Sequence, residues 1–172
     1  TCAQRGPMVE ESNLKYWRDA GHVARRTLEA MKDELQPGKT FHEIIEAAER
    51  FIHRHGGKPA FPGTIAVNDL AAHFTTNHQI EGVEGWDGDM VLEKGDCVKI
   101  DFGVHIKGHI GDNALTLEIG NSNEHTEQIK AAKEARDAAI EMLHPGTPWY
   151  KVGQAAAQPS LDAGFQPIRN LC

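Results

Sequence analysis

Cysteine is scarce in this sequence of 172 residues, and its positions disfavour two common kinds of site. The three cysteines, Cys2, Cys97 and Cys172, show no CxxC spacing and are odd in number, so neither a structural zinc site nor a disulfide framework is expected. Cys97 falls in a strand-like run, where a free cysteine behaves as a small buried apolar residue. A reducing, cytoplasmic compartment is the expectation that follows.

Long apolar segments and clusters of basic residues are lacking as well. No apolar run approaches the roughly 20 residues of a membrane-spanning helix, and residues 1–8 have no apolar core of a signal peptide. The formal net charge is -7, which argues against nonspecific binding to the phosphates of nucleic acids. We therefore expect neither a membrane nor a nucleic acid as partner. The first residue is Thr1 rather than Met, which indicates processing or a fragment.

The first third of the chain has the pattern of two helices. Apolar residues recur at helical spacing over residues 12–35, and Pro37 follows as a stop signal. Thr40 and Glu43 have the spacing of a capping box, which opens a second helix. Gly56 is expected to end that helix.

The middle of the chain is typical of a β-hairpin preceded by loops. Residues 58–75 mix strand and turn signals, and residues 77–89 form a loop rich in Gly and Asp. Alternating apolar residues predict strands over 97–105 and 109–119, with a tight two-residue turn that begins at Lys107.

An internal repeat relates the two ends of the sequence at a spacing of 108 residues. Both copies have the order helix, Pro-Gly, helix, Gly, Pro, with these matched landmarks: Pro37-Gly38 and Pro145-Gly146, Gly56 and Gly164, Pro59 and Pro167. The second copy predicts helices over 124–143 and on to residue 163, where Pro159 should kink or shorten the last one. We expect one catalytic-type domain, 1–172, with a complete copy over 10–120 and a second copy, 124–172, that lacks strands.

Two aspartates fall on the predicted hairpin in an arrangement that suits a cation. If the turn has two residues, Asp101 lies opposite Ala114, and Asp112 falls on the same face one diagonal step away. Two carboxylates at that separation repel each other, and a divalent cation removes the repulsion. The residues alone leave two interpretations open, a metal site or two solvated aspartates. His73, taken alone, is typical of a core or loop residue.

Longer motifs resemble one known family. Residues 58–62 read Lys-Pro-Ala-Phe-Pro, residues 71–75 read Ala-Ala-His-Phe-Thr, and residues 99–106 are followed by Gly-Asp at 111–112. These pieces, together with residues 167–171, resemble type II methionine aminopeptidases of the archaeal kind. The resemblance covers residues 10–171. It implies an α+β, pita-bread fold, here truncated, whose antiparallel sheet has helices packed on one face. The activity that it implies is metal-dependent removal of N-terminal methionine from nascent peptides.

The resemblance also implies roles for individual residues. Asp101 and Asp112 would be metal ligands, one binding a single ion and the other bridging both. His73 would be catalytic and would hydrogen-bond the scissile peptide or its tetrahedral intermediate. Phe61 would line the pocket for the methionine side chain, with His73 also contacting substrate. Two divalent ions are expected, with Co, Mn, Fe and Zn as candidates.

Part of the family pattern falls outside this sequence. A His and two Glu complete the metal centre in the family, and they follow the Asn-Leu that here precedes Cys172. The expected partners are therefore a C-terminal complement or a second copy of this chain, besides a peptide that begins with methionine. Two other functions stay open, a non-catalytic binding relative of the same fold and a prolidase-type dipeptidase.

Overall fold

The computed structural model describes residues 11–76, 89–120 and 122–168, which form two compact units, 1–121 and 122–172. The predicted loop over 77–89 lies outside the described residues except for its last residue. The elements of the first unit are α1 (Glu11–Glu34), α2 (Phe41–Arg54), β1 (Lys58–Pro59), β2 (Thr64–Val67), β3 (Cys97–Ile106) and β4 (His109–Glu118). Those of the second unit are α3 (Thr126–Met142) and α4 (Trp149–Asp162).

The start of α2 confirms the predicted capping box. The Thr40 hydroxyl accepts a hydrogen bond from the Glu43 backbone N–H at 3.1 Å, and the Glu43 carboxylate accepts one from the Thr40 N–H at 2.9 Å. Two N–H groups that no helical carbonyl reaches are satisfied in this way. The cap fixes where α2 begins, and therefore which of its faces meets the sheet.

Four antiparallel strands form one sheet with β3 in the middle. β4 pairs along the whole of β3 on one side, while β1 and β2 pair with successive parts of β3 on the other. Lys107 and Gly108 form the turn with φ values of 51° and 82°. Positive φ at both turn residues matches the twist of a two-residue hairpin. The predicted strands, turn and register are confirmed.

The helices α1 and α2 cover one face of this sheet. Every second residue of β3 points into the helices, and these residues are fully or almost fully buried: Val98, Ile100, Phe102 and Val104. The helices contribute the other half of the core, including Leu28, Met31, Phe41, Ile44 and Ala48. Apolar side chains on one face of each element account for this packing. None of the helices in the described part of the chain is long and apolar enough to cross a membrane.

The helices of the second unit repeat those of the first. α4 begins and ends 108 residues after α2, and α3 ends 108 residues after α1. Gly38 and Gly146 have φ values of 86° and 90°, so the same left-handed turn joins both helix pairs. Pro159 lies inside α4, which continues to Asp162, so the proline does not shorten the helix. Within residues 122–168 the structure has no strand.

Two core positions of the first copy have exposed equivalents in the second. Leu35 is 3% exposed and Phe41 is 1% exposed, whereas Leu143 and Trp149 are 51% and 79% exposed. The apolar face that the sheet covers in the first copy therefore has large solvent-exposed side chains in the second.

Two glycines set how closely α1 approaches the sheet. A Cβ added to Gly111 would lie 2.5 Å from the Gly21 nitrogen and 2.6 Å from its Cα, whereas a Cβ added to Gly21 would meet nothing within 4 Å. Backbone atoms of a packed helix cannot move aside easily. The strand therefore needs glycine at 111, and the helix does not need it at 21.

We expect Gly111→Ala to lower the free energy of unfolding by about 1–3 kcal/mol through overpacking. Gly21→Ala should raise it by roughly 0.5–1 kcal/mol, because alanine is the better helix former. Urea denaturation of both variants measures the two effects. Equal effects of the same sign would contradict this account of the helix–sheet contact.

Candidate metal centre

Two carboxylates meet on the open face of the hairpin. Asp101 pairs with Ala114 across β3 and β4, and Asp112 pairs with Gly103 two residues further along. Because side chains alternate between faces, Asp101 and Asp112 both point away from the helices. The Asp101 side chain is half-buried, the Asp112 side chain is exposed, and a hydrogen bond joins the two carboxyl groups. The predicted diagonal arrangement is confirmed.

The electrostatics of Asp101 are unfavourable for an isolated carboxylate. Burial raises its pKa to about 6, and the negative charge of Asp112 adds to the rise. The hydrogen bond between the two groups favours the protonated form further, while the nearby His73 opposes the shift. The Oδ1 atom of Asp101 is buried and has no hydrogen-bond partner among the described residues. A buried oxygen of this kind is costly unless something binds it.

A divalent cation fits this arrangement. Carboxylate oxygens are hard ligands, and a cation between them would bind the orphaned Oδ1 and remove the repulsion between Asp101 and Asp112. Across residues 11–76, 89–120 and 122–168 there is no group of three or more His, Cys, Asp or Glu residues placed to hold a metal ion. The described residues thus provide two oxygen ligands rather than a full coordination sphere.

One cavity of about 380 Å³ brings the predicted site residues together. Its lining consists of Phe61, Pro62, Thr64, His73, Thr75, Asp101 and Asp112. All four residues singled out from the sequence are in this set, although they come from three separate segments of the chain. Their chemical roles stay predictions.

Phe61 forms a wall of the cavity because β3 has no side chain at Gly103. A Cβ at Gly103 would overlap the Phe61 ring. The ring therefore lies directly on the strand, beside the carboxylate of Asp112, whose strand partner is Gly103. The cavity combines an aromatic surface with two carboxylates, a combination suited to a ligand with an apolar side chain and a charged or polar end.

His73 is held at the cavity by a short segment that returns to β2. The carbonyl of Phe74 accepts a hydrogen bond from the Ile65 N–H at 2.8 Å, and the Thr75 hydroxyl donates to the Gly63 carbonyl at 2.8 Å. His73 itself has a φ of 63° and an exposed side chain. A left-handed backbone at a residue other than glycine is uncommon and is found at functional sites.

Three lining residues were not predicted from the sequence. Pro62, Thr64 and Thr75 contribute to the cavity, and Thr64 pairs with Asp101 across β2 and β3. The signal for Thr64 was its alternation with the apolar residues of a short strand, which the turn signals around it obscured.

Comparison with known proteins identifies the family. The pattern of metallopeptidase family M24 matches residues 15–172. The chain belongs to this family. The M24 match covers both units and includes His73, Asp101 and Asp112.

Curated relatives of this M24 chain are methionine aminopeptidases of archaea. One from Archaeoglobus fulgidus is 37% identical over 153 residues, covering 89% of this chain and 49% of the relative. One from Thermococcus kodakarensis is 38% identical, covering 88% and 48%. One from Methanothermus fervidus is 32% identical, covering 94% and 85%. The chain spans about half the length of the first two relatives.

Solved M24 structures share the fold. A methionine aminopeptidase from Rickettsia prowazekii matches with a TM-score of 0.83 and 24% identity, over 95% of this chain and 65% of the other. Prolidase from Pyrococcus furiosus matches with a TM-score of 0.75 and 25% identity, over 90% and 44%. The predicted α+β, pita-bread fold is confirmed.

Replacement of Asp101 by Asn should stabilise the metal-free chain in a pH-dependent way. The folded-state pKa of Asp101 is about 6, above its ordinary value of 3.8. The folded chain therefore binds the proton more tightly, and stability falls as pH rises from about 4 to about 6. Asp101→Asn removes this loss, so its advantage should be small at pH 4 and reach about 1–2 kcal/mol at pH 7.5, after allowance for solvent screening.

Urea denaturation in EDTA at the two pH values measures the difference. The matched control is Asp137→Asn, which changes an exposed aspartate of α3. An advantage of Asp101→Asn that is the same at both pH values, or equal to that of the control, would contradict the assigned cause.

Proposed function

We propose that this chain provides the amino-terminal part of a methionine aminopeptidase. The observation that carries the proposal is the cavity in which Phe61, His73, Asp101 and Asp112 converge, with one buried oxygen of Asp101 left without a partner. The archaeal relatives named methionine aminopeptidase support the same activity. The proposed substrate is a peptide with methionine at its N-terminus.

We further propose two divalent cations as cofactors, held in part by Asp101 and Asp112. When bound, such ions supply Lewis-acid activation of the attacking water and of the peptide carbonyl. Oxygen ligands suit Mn, Fe or Co, and Zn is the fourth candidate. The remaining ligands would come from a C-terminal complement, for which the half-length match to the relatives is the support. A second copy of this chain is the other candidate.

The residues of this chain would bind and orient the substrate. Phe61 and Pro62 present apolar surface to the methionine side chain on one side of the cavity. The exposed ring of His73 is available to donate a hydrogen bond to the scissile carbonyl oxygen, where negative charge develops during attack. The carboxylates of Asp101 and Asp112 lie on the sheet beneath these groups. Peptides that still carry their initiating methionine occur where proteins are made, so we propose the cytoplasm as the location.

A prolidase-type dipeptidase is the second candidate, because a prolidase shares the fold. The segment Ala-Ala-His-Phe-Thr at 71–75 favours the aminopeptidase. A non-catalytic binding relative is disfavoured, since a binding surface gains nothing from two carboxylates that raise each other's pKa.

Two assays on the purified chain test the proposal. Calorimetric titration with Mn²⁺ should detect weak binding that Asp101→Ala abolishes and Asp137→Asn preserves. Release of methionine from Met-Ala-Ser should be slow for the chain alone and should require Asp101 once the complementary half is added. Ala-Pro should remain a poor substrate in the same mixture.

Three results would overturn parts of this account. Cation binding that does not depend on Asp101 would favour the non-catalytic relative. Faster cleavage of Ala-Pro than of Met-Ala-Ser would favour the dipeptidase. Rapid methionine release by the monomeric chain alone would show that no complement is needed.

A further inference from the structure

Asn68 is bound to the start of β3 by both its backbone and its side chain. Its Nδ2 donates to the Asp96 carboxylate at 2.9 Å, and its Oδ1 accepts from the Cys97 N–H at 2.9 Å. Its N–H donates to the Cys97 carbonyl at 3.0 Å, and its carbonyl accepts from the Lys99 ammonium at 2.8 Å. Four hydrogen bonds thus converge on one residue that follows β2.

The backbone of Asn68 is left-handed, with a φ of 51°. Asparagine tolerates this conformation better than most residues, and its side-chain amide provides a donor and an acceptor at once. Aspartate lacks the donor, and glycine accepts the backbone but lacks both groups. The four contacts and the conformation together account for asparagine at this position.

The clamped residue stands at one end of the segment that carries His73. At the other end, the Phe74 carbonyl accepts from the Ile65 N–H at 2.8 Å, so the chain leaves and returns to the sheet at two fixed points. Asp96 is anchored in turn, because its second oxygen accepts from the Glu93 N–H at 2.8 Å. The segment between Asn68 and Phe74 is therefore short and held at both ends.

We propose that Asn68 is a positioning residue, which fixes the His73 segment relative to β3 and so holds the His73 ring at the cavity of Asp101 and Asp112. The inference rests on the proposed function for its catalytic consequence. The geometric part, that the Asn68 side chain holds the segment, stands independently and has its own measurement.

Three variants separate positioning from general stability. Asn68→Gly keeps the left-handed backbone and removes both side-chain bonds. Asn68→Asp removes the donor and sets a carboxylate against Asp96. The double variant Asn68→Asp with Asp96→Asn exchanges donor and acceptor, so that both side-chain bonds and the bond from the Glu93 N–H can form again.

Hydrogen exchange of the Ile65 amide reports on the segment directly, because its acceptor is Phe74. We expect this amide to exchange about tenfold faster in Asn68→Gly and Asn68→Asp, and at the wild-type rate in the double variant. Amides shared between β3 and β4 should keep their rates. Faster exchange of all these amides by one common factor, or an unchanged Ile65 amide, would overturn the proposal.

The catalytic consequence is measured on the chain completed by its other half. The two single variants should lower kcat by roughly tenfold to a hundredfold, with KM and cation affinity little changed, since a misplaced group costs rate rather than binding. The double variant should recover kcat. A wild-type chain without activity would contradict the proposed function, and the exchange rates would still decide whether Asn68 holds the segment. Normal kcat in both single variants would overturn the catalytic role of Asn68.

Discussion

The register between β3 and β4 is the constraint on which the candidate centre depends. A two-residue turn with positive φ at Lys107 and Gly108 fixes this register, and every pair along the hairpin follows from it. A slip of one residue would turn Asp101 into the face that the helices cover. The buried residues on that face oppose such a slip, because Ile100 and Phe102 would then be exposed to water. The core therefore determines where the carboxylates lie.

The two faces of the sheet make opposite contributions to stability. The face under α1 and α2 buries apolar side chains, and the close approach at Gly111 shows how tightly helix and strand are packed. The open face holds Asp101 and Asp112, whose mutual repulsion and burial disfavour the charged state. Functional sites commonly carry such a local cost, which the rest of the fold offsets. A bound cation would convert the same repulsion into attraction, so the instability has a chemical purpose under the proposed function.

Much of this arrangement could be predicted from the sequence, because it depends on local rules. Alternation and a two-residue turn were enough to place Asp101 and Asp112 on one face, and matched landmarks were enough to relate α4 to α2. The surroundings of the carboxylates depend on contacts between distant segments, and they were less accessible. Thr64 was missed because strand and turn signals overlap there, and the left-handed backbone of His73 has no mark in the sequence. Phe61 was identified only through the family resemblance, since its contact with Gly103 is a long-range contact.

The location of a bound cation tests the central claim most directly. Crystals of the chain soaked in Mn²⁺ would be measured near the manganese absorption edge, and the anomalous difference map would locate the ion. We predict a peak between the carboxylates of Asp101 and Asp112, within about 2.0–2.3 Å of an oxygen of each, and within reach of the Asp101 oxygen that now lacks a partner. Ordered carboxylates with no peak between them, in crystals whose only manganese lies elsewhere on the surface, would contradict the account.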